Sequence, residues 1–581
     1  MPLRRAAALA ACFLFVSAAS VKTASAAPVE VLSSDGHVHV VDNRFLSGEP
    51  LTPRPSADPL APLARILARS AAAAKPPTNP TNPTKPTKKP KPKAPQVTVG
   101  SVLEKLELSG AINTAQYQTY LNAWNSALGE ERHLSSARKQ QLGYETVLLH
   151  DIAASGQMTA ARLPVLFLTL ERNAQWWLHG ALLGYGQRVQ FSGSKLVWEY
   201  YPGQGIQLQV LGTFGEADGY YEAGRGSYPQ LASVMSEMIP LAVRRGGAVA
   251  WEYYFNFDGG HPPWVSAMSQ ATAIEALTNA YKATKQQSYL SLAHQALPLL
   301  SVAPPTGVGV RTARGWRFLQ YSFAPRLDII NAFLQTLIGL DTYAQVSDDQ
   351  TAQQLFTAGN AEAEAELPSF NTGSWSLYQP GTEDDLSYHE LVTGFAKSMC
   401  TLTKAPVYCS TATAFQTDLK TPPTLTQLTQ SAKSGKPFSM RFKLSKISKV
   451  GIDITAGGAK SHAKTVVATS AQYPHGTDAI KVGKLKPGTY SVKLSATDLA
   501  GNYATVTGEL IVYKGGNRPS TGPAPTSGPT RTTPTKTTPT KTTPTTTVTT
   551  PTVTTPTTTT PTVTTPTTTT PGSGGVGPGP P

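Results

Sequence analysis

Cysteine is scarce in this chain, with three in 581 residues. Cys12 lies in the apolar N-terminal run, which leaves Cys400 and Cys409 as one even pair. In an oxidising compartment such a pair predicts a disulfide. The residues between them offer no further metal ligand, and no His, Asp or Glu cluster elsewhere has ligand spacing. We therefore expect a structural disulfide, no metal site and no cofactor.

Long apolar runs are also missing, except at the N-terminus. There Arg4 and Arg5 precede the apolar run 6–17, and the small residues 24–26 suit a cleavage site. The pattern predicts a secretory signal over residues 1–26, because the run is shorter than the ~20 residues that a membrane span needs. We expect a secreted protein, extracellular or associated with the cell envelope, with no membrane segment after signal removal.

Charged residues make up only 15% of the chain, yet the formal net charge is +14. The signal carries three of these positive charges, the segment 75–97 six and residues 514–581 five, so the remainder is neutral as a whole. Bulk charge therefore does not support a nucleic-acid partner. The basic linker and the basic region 421–513 are better suited to an anionic cell-envelope polymer, or they remain solvated.

Composition also predicts the domain organisation. The sequence KPPTNPTNPTKPTKKPKPKAPQ and the C-terminal repeats of TTPT and TVTTP cannot bury an apolar core. We predict a signal peptide at 1–26, a disordered region with a Pro/Lys linker at 27–97, a helical domain at 98–420, a β-domain at 421–513, and a disordered Thr/Pro-rich tail at 514–581.

The period of the apolar residues differs between the two central domains. In residues 98–420 they recur at three- and four-residue steps, as in 265–283 and 327–346, which predicts helical hairpins in an α/α toroid or a fragment of one. Short strands are expected near 187–215 and 247–258. In 421–513 apolar and polar residues alternate, which favours an Ig-like β-sandwich that serves as a glycan-binding module or as a spacer.

The most informative motifs run from Trp264 to His389. They are SAMSQ, QYSFAP, IINAFLQTLIGL, LPSFNTGS, SLY and YH, in that order. This order resembles the C-terminal catalytic domain of the D-glucuronyl C5-epimerase family, over roughly residues 247–400, and YYPGQGIQLQ upstream is similar to bacterial members. The resemblance implies a secreted bacterial enzyme that converts glucuronate to iduronate within a polysaccharide.

The resemblance also implies the site. The catalytic residues would be Tyr321, Tyr378 and Tyr388, since epimerisation needs an acid or base on each face of the sugar ring. The substrate-binding residues would be Gln320, Asn331, Gln270, Trp264, which could stack on a sugar ring, and His389, which could also tune the pKa of a tyrosine. Arg314, Arg317 and Arg326 flank Tyr321 in sequence, and from this proximity alone Arg326 is added as a residue that could receive the substrate carboxylate. Gln320 stands where the vertebrate enzymes have glutamate, and an amide cannot accept a proton as a base. Proton transfer is therefore left to the tyrosines.

Two other classes of function remain open on sequence. A polysaccharide lyase would abstract the same proton and then expel the 4-linked sugar, whereas a hydrolase would need two carboxylates across the bond. The acids near the motifs are Asp328, Glu383, Asp384 and Asp385. A non-catalytic protein of the cell envelope that binds glycan is the third class.

Overall fold

The computed structural model describes residues 27–43, 97–456, 464–516 and 519–527. The predicted signal, most of the Pro/Lys linker and most of the Thr/Pro tail lie outside the described residues. None of the described helices combines the length and the apolar character that a membrane span requires. The helices are α1 (Val99–Leu108), α2 (Thr114–His133), α3 (Ser136–Ala154), α4 (Leu163–His179), α5 (Val210–Glu222), α6 (Tyr228–Met238), α7 (Ala267–Thr284), α8 (Gln287–Ala296), α9 (Ile330–Ser347), α10 (Gln350–Glu366), α11 (Leu386–Thr403) and α12 (Pro406–Asp418).

The last eight helices form two layers, as the periodicity predicts. Helices α5, α7, α9 and α11 pack side by side as an inner layer, and each is followed by an outer helix, α6, α8, α10 or α12. Three of the inner helices end at a residue in the left-handed conformation, namely Lys285, Asp348 and Lys404. Such a residue stops the helix and turns the chain back. The inner helices therefore run in the same direction.

Short strands connect the helices. A five-stranded sheet has the order β2-β1-β3-β4-β5, and there are three two-stranded ribbons. The strands are β1 (Ala27–Leu32), β2 (Val38–Asn43), β3 (Arg188–Phe191), β4 (Trp198–Tyr201), β5 (Gly205–Leu208), β6 (Val243–Arg245), β7 (Ala248–Ala250), β8 (Gly309–Arg311), β9 (Trp316–Phe318), β10 (Leu377–Gln379) and β11 (Thr382–Glu383). The strands expected near 187–215 and 247–258 are thus present.

The start of the chain corrects one boundary, because residues 27–43 are not a disordered lead. They form the hairpin β1–β2, whose first strand pairs in parallel with β3. The sequence VEVLSSDGHVHVV alternates apolar residues about a Ser-Asp-Gly turn, which is a hairpin pattern. Val29 and Leu32 are buried as a result. The two strands are added to a sheet of the helical domain.

The C-terminal domain is a β-sandwich. One sheet has the order β17-β14-β12-β20 and the other β13-β19-β18-β15-β16. The strands are β12 (Leu425–Gln427), β13 (Ser431–Lys433), β14 (Phe438–Leu444), β15 (Ser448–Ala456), β16 (Lys464–Tyr473), β17 (Gly476–Gly483), β18 (Gly488–Asp498), β19 (Tyr503–Tyr513) and β20 (Thr526–Ser527). Strand β20 pairs with β12, so the domain extends beyond the predicted boundary at 513. An Ig-like topology stays a prediction.

The predicted disulfide is confirmed. Cys400 near the end of α11 is bonded to Cys409 in α12, with the Cα atoms 4.8 Å apart. The bond therefore links the two helices of the last helical hairpin of the domain.

A helical glycine determines how closely α7 and α9 pack. A Cβ atom on Gly339 of α9 would lie 2.6 Å from the carbonyl oxygen of Ala271 in α7. We expect Gly339→Ala to lower the free energy of unfolding by about 1–3 kcal/mol, because the helices must separate. The matched control is Gly394→Ala in α11, where a Cβ meets nothing within 4 Å. That change should raise it by about 0.5–1 kcal/mol, and urea denaturation of both variants tests the pair.

Candidate active site

The N-terminal turns of the four inner helices meet at one cavity. The space is partly open to solvent and is lined by Leu211, Met268, Gln320, Asn331, Tyr378, Tyr388 and Leu391. Leu211, Met268, Asn331 and Tyr388 each belong to the first turn of a different inner helix. Helix N-termini carry partial positive charge. The cavity is therefore suited to a negatively charged group.

The three predicted tyrosines come together beside this cavity. Tyr388 lies in the first turn of α11, where the Asp385 carboxylate accepts a hydrogen bond from its backbone N–H at 2.9 Å. Tyr378 lies on β10, and its ring centroid is 5.0 Å from that of Tyr388. Tyr321 follows β9 in a loop that is fixed to the start of α7 by two backbone hydrogen bonds, from Ser322 N to Val265 O and from Ala267 N to Leu319 O.

The hydroxyl of Tyr321 is a buried polar group without a partner. It lies near the Tyr378 hydroxyl and the Gln320 side chain, but it forms no hydrogen bond of normal geometry with any described residue. Buried polar atoms are nearly always paired, and an exception next to residues that line a cavity calls for a ligand or a water molecule as its partner. A substrate oxygen or proton at this position would complete the pairing.

Burial controls the protonation of these phenols. It raises the pKa of Tyr321 well above its usual value, and the nearby Tyr388 raises it further. Burial also raises the pKa of Tyr378, with an added effect of Tyr321. Both phenols are therefore neutral at pH 7. They are ready to donate a proton, and either becomes a strong base once it is ionised.

Trp264 supports the site but does not face the cavity, which corrects its predicted role in sugar stacking. Its side chain is fully buried, with the ring stacked on Tyr253 at 4.2 Å and edge-on to Tyr321 at 5.7 Å. The indole N–H donates to Phe255 O at 2.8 Å. A tryptophan that is enclosed in this way cannot stack on a sugar. It holds the Tyr321 ring in place.

His389 is likewise structural, although it follows Tyr388 directly. Its ring is stacked on Trp375 at 3.7 Å, and its two nitrogens contact the Ser376 hydroxyl and Phe415 O. Burial lowers its pKa to about 4, so the imidazole is neutral. Adjacent helical positions point in different directions. The predicted role in substrate binding, or in tuning the tyrosines, has no contact to support it.

Of the remaining predicted residues, Gln320 and Asn331 line the cavity and two others do not. The Gln270 amide donates to Val249 O at 2.7 Å and to Ala296 O at 3.0 Å, so it joins backbone segments. Arg326 is exposed. Arg317 is bound by Asp328, Glu362 and Glu366. Neither arginine contacts the tyrosines. Proximity to Tyr321 in sequence therefore did not identify a partner for the substrate carboxylate.

One buried acid was not predicted from the sequence. Glu199 on β4 is fully buried and accepts from Arg188 Nε at 3.0 Å. Burial raises its pKa, and Arg188 opposes that shift. Burial raises the pKa of Tyr185, although this residue is partly exposed. The nearby Glu199, Tyr388 and Tyr378 raise it further. The only available signal was the similarity of the adjacent YYPGQGIQLQ segment.

The described residues contain no group of three or more His, Cys, Asp or Glu side chains that could hold a metal ion.

Curated relatives match part of the chain. The D-glucuronyl C5-epimerase of Caenorhabditis elegans is 32% identical over 174 residues, which cover 26% of this chain and 28% of that protein. An uncharacterized protein of Methanocaldococcus jannaschii is 25% identical over 138 residues, which cover 22% and 44%. The chain thus spans less than half the length of either relative.

Solved structures show only a loose likeness. Cellobiose 2-epimerase from Bacillus thermoamylovorans B4167 aligns with a TM-score of 0.31 and 10% identity, over 49% of this chain and 74% of that chain. The endo-beta-1,4-glucanase CMCax from Acetobacter xylinum gives a TM-score of 0.28 and 12% identity, over 40% and 75%. These scores are too low to bear on function.

The family model described as D-glucuronyl C5-epimerase C-terminus matches residues 245–417, which include Tyr321, Tyr378 and Tyr388. The segment that contains the three tyrosines is thus similar to the C-terminus of the D-glucuronyl C5-epimerases.

Proposed function

We propose that this protein is a carbohydrate epimerase that inverts C5 of a uronic acid residue within a polysaccharide. The observation that carries the proposal is the buried, unpartnered hydroxyl of Tyr321 beside Tyr378, at a cavity that Tyr378 and Tyr388 line. Epimerisation at C5 needs one proton acceptor and one proton donor on opposite faces of the ring. Three phenols at one cavity can supply both.

The reaction is a balanced exchange of protons. One tyrosine, as phenolate, takes the C5 proton, and the electron pair of the C–H bond moves onto the carboxyl group of the uronate. A neutral phenol on the other face then gives its proton to C5, and the pair returns to form the new C–H bond. No oxidant, reductant or leaving group is involved.

The charge that develops on the carboxyl oxygens must be stabilised. Arg317 already binds three carboxylates, and Arg326 is exposed. The positive ends of the inner helices therefore take on this role, together with the amides of Gln320 and Asn331. An amide at position 320 suits an anionic substrate, because it donates a hydrogen bond without the repulsion that a glutamate would cause.

The nearby acids do not favour a hydrolase. Asp328 faces Arg317, Glu383 accepts from Ile447 N and His475 N, and Asp384 accepts from the Ser376 hydroxyl. Asp385 caps α11. Each acid is thus occupied by a partner in the protein, so no pair of them faces the cavity as a hydrolase requires.

The polysaccharide would be met outside the cell if the N-terminal signal is used. Export, attachment to an anionic envelope polymer through the linker or the β-sandwich, and the identity of the uronate polymer remain predictions. The proton chemistry is the same for any polymer that presents a uronate to the cavity.

Incubation with uronate-containing polysaccharides in deuterated water tests the function. We expect deuterium at C5 without chain cleavage, measured by NMR. Tyr388→Phe should reduce the incorporation at least ~100-fold, since it removes a proton-transfer group. Chain cleavage with an unsaturated, ultraviolet-absorbing product would instead identify a lyase. Binding of the polymer with neither signal would identify a glycan-binding protein.

Tyr321→Phe separates catalysis from stability. Because the hydroxyl has no hydrogen bond of normal geometry to the described residues, its removal should change the free energy of unfolding by less than about 1 kcal/mol, while deuterium incorporation falls ~100-fold or more. The matched control is Tyr253→Phe. The hydroxyl of Tyr253 contacts Ser269 at 2.7 Å and accepts from Leu211 N at 3.1 Å, so that variant should lose about 1–3 kcal/mol. Full activity of Tyr321→Phe would exclude its catalytic role.

The rate should rise with pH. The pKa of Tyr321 and that of Tyr378 are both raised, so near neutral pH only a small fraction is phenolate, and that fraction grows tenfold for each pH unit below the pKa. We expect the logarithm of kcat for C5 exchange to increase with a slope near one from about pH 7 to about pH 9. A flat profile over this range would contradict a tyrosine base and favour a carboxylate such as Glu199.

A further inference from the structure

The loop that joins Tyr378 to Tyr388 is held by the β-sandwich. Glu383 lies in this loop, and its side chain is 2% exposed. One carboxylate oxygen accepts from Ile447 N at 2.9 Å, and the other accepts from His475 N at 2.7 Å. The His475 ring is also 3.0 Å from the second oxygen. Both oxygens of this acid are therefore bound by two separate turns of the other domain.

A buried lysine makes a second contact between the domains. Lys446 lies at the β14–β15 turn, and its side chain is 1% exposed. Its ammonium group pairs with Asp498 at 2.6 Å, donates to Asp418 O at 2.7 Å at the end of α12, and lies 5.2 Å from the centre of the Trp375 ring. Burial of a charge is costly unless its partners are fixed. The relative position of the domains is thus closely specified at this interface.

These contacts lead directly to the tyrosines. The strand that contains Tyr378 pairs with the strand that contains Glu383, through Leu377. The indole of Trp375 donates to Asp384 O at 2.8 Å. The next residue, Asp385, caps the helix in which Tyr388 occupies the first turn. Movement of Glu383 therefore shifts the backbone on both sides of the cavity.

We propose that Glu383 is a positioning residue for catalysis, and that the β-sandwich is a structural part of the active site. The expected effect on the rate of C5 exchange rests on the proposed function. The expected effect on the order of the loop between Tyr378 and Tyr388 does not. A spacer or an independent glycan-binding module would not require a buried acid and a buried lysine at its junction with the helical domain. The contacts instead fit a domain that holds the loop between Tyr378 and Tyr388 in place.

The test compares Glu383→Ala with Glu390→Ala. Glu390 is an exposed acid on the same helix as Tyr388. In Glu383→Ala we expect faster backbone hydrogen exchange in residues 376–389, together with a fall in kcat of roughly 10- to 100-fold and a change in KM below about threefold, since small displacements of catalytic groups have effects of this size. Glu390→Ala should match the unmodified protein in every readout.

Two milder variants keep the test informative if Glu383→Ala does not fold. His475→Ala leaves both backbone donors to Glu383, and Glu383→Gln keeps an acceptor oxygen. Both should retain more of kcat than Glu383→Ala, in proportion to the protection left in residues 376–389. Unchanged hydrogen exchange in this segment, or faster exchange with an unchanged kcat, would overturn the positioning role. If the unmodified protein shows no C5 exchange on any uronate polymer, the proposed function fails. Backbone hydrogen exchange in residues 376–389 still decides whether Glu383 orders the loop.

Discussion

The common direction of the four inner helices is the constraint on which the site depends. Because an outer helix returns the chain after each inner one, the N-terminal turns of α5, α7, α9 and α11 gather at one end of the layer. Each contributes one or more residues to the cavity wall. The arrangement concentrates the positive ends of the helix dipoles where a uronate carboxylate would develop charge. It therefore takes over a task that neither Arg317, which is paired with carboxylates, nor the exposed Arg326 performs.

Three different kinds of local structure hold the tyrosines beside the cavity. Tyr388 is placed by a helix cap, Tyr378 by a two-stranded ribbon, and Tyr321 by a loop that is bonded to the start of α7. Rigid elements thus hold three side chains that lie far apart in sequence. Trp264 and its aromatic neighbours fill the space behind Tyr321, and a close-packed wall of this kind resists rotation of the ring.

Much of this was predictable from sequence. The three- and four-residue spacing identified the inner helices, and for α9 it gave 327–346 against the observed Ile330–Ser347. The motif order identified the tyrosines. Contacts made far from a motif could not be predicted, because they depend on the fold: Gln270 and His389 looked like ligands by position, yet both bond to backbone groups. The β1–β2 hairpin was not predicted, because its alternation of apolar and polar residues is short and lies in a segment whose composition predicts disorder.

The acidic run 383–385 shows most clearly why sequence alone was insufficient. In isolation three successive acids suggest a solvated loop, since charged side chains are rarely buried. Here Glu383 and Asp384 are both buried, and their partners are supplied by a domain more than sixty residues further along the chain and by a serine beside Tyr378. Burial raises the pKa of Asp384 to about 7. The Glu383 carboxylate accepts a backbone hydrogen bond on each oxygen. Neighbouring residues of one type therefore have different environments, and that difference arises from the domain interface. The catalytic loop and the β-sandwich consequently form one structural unit.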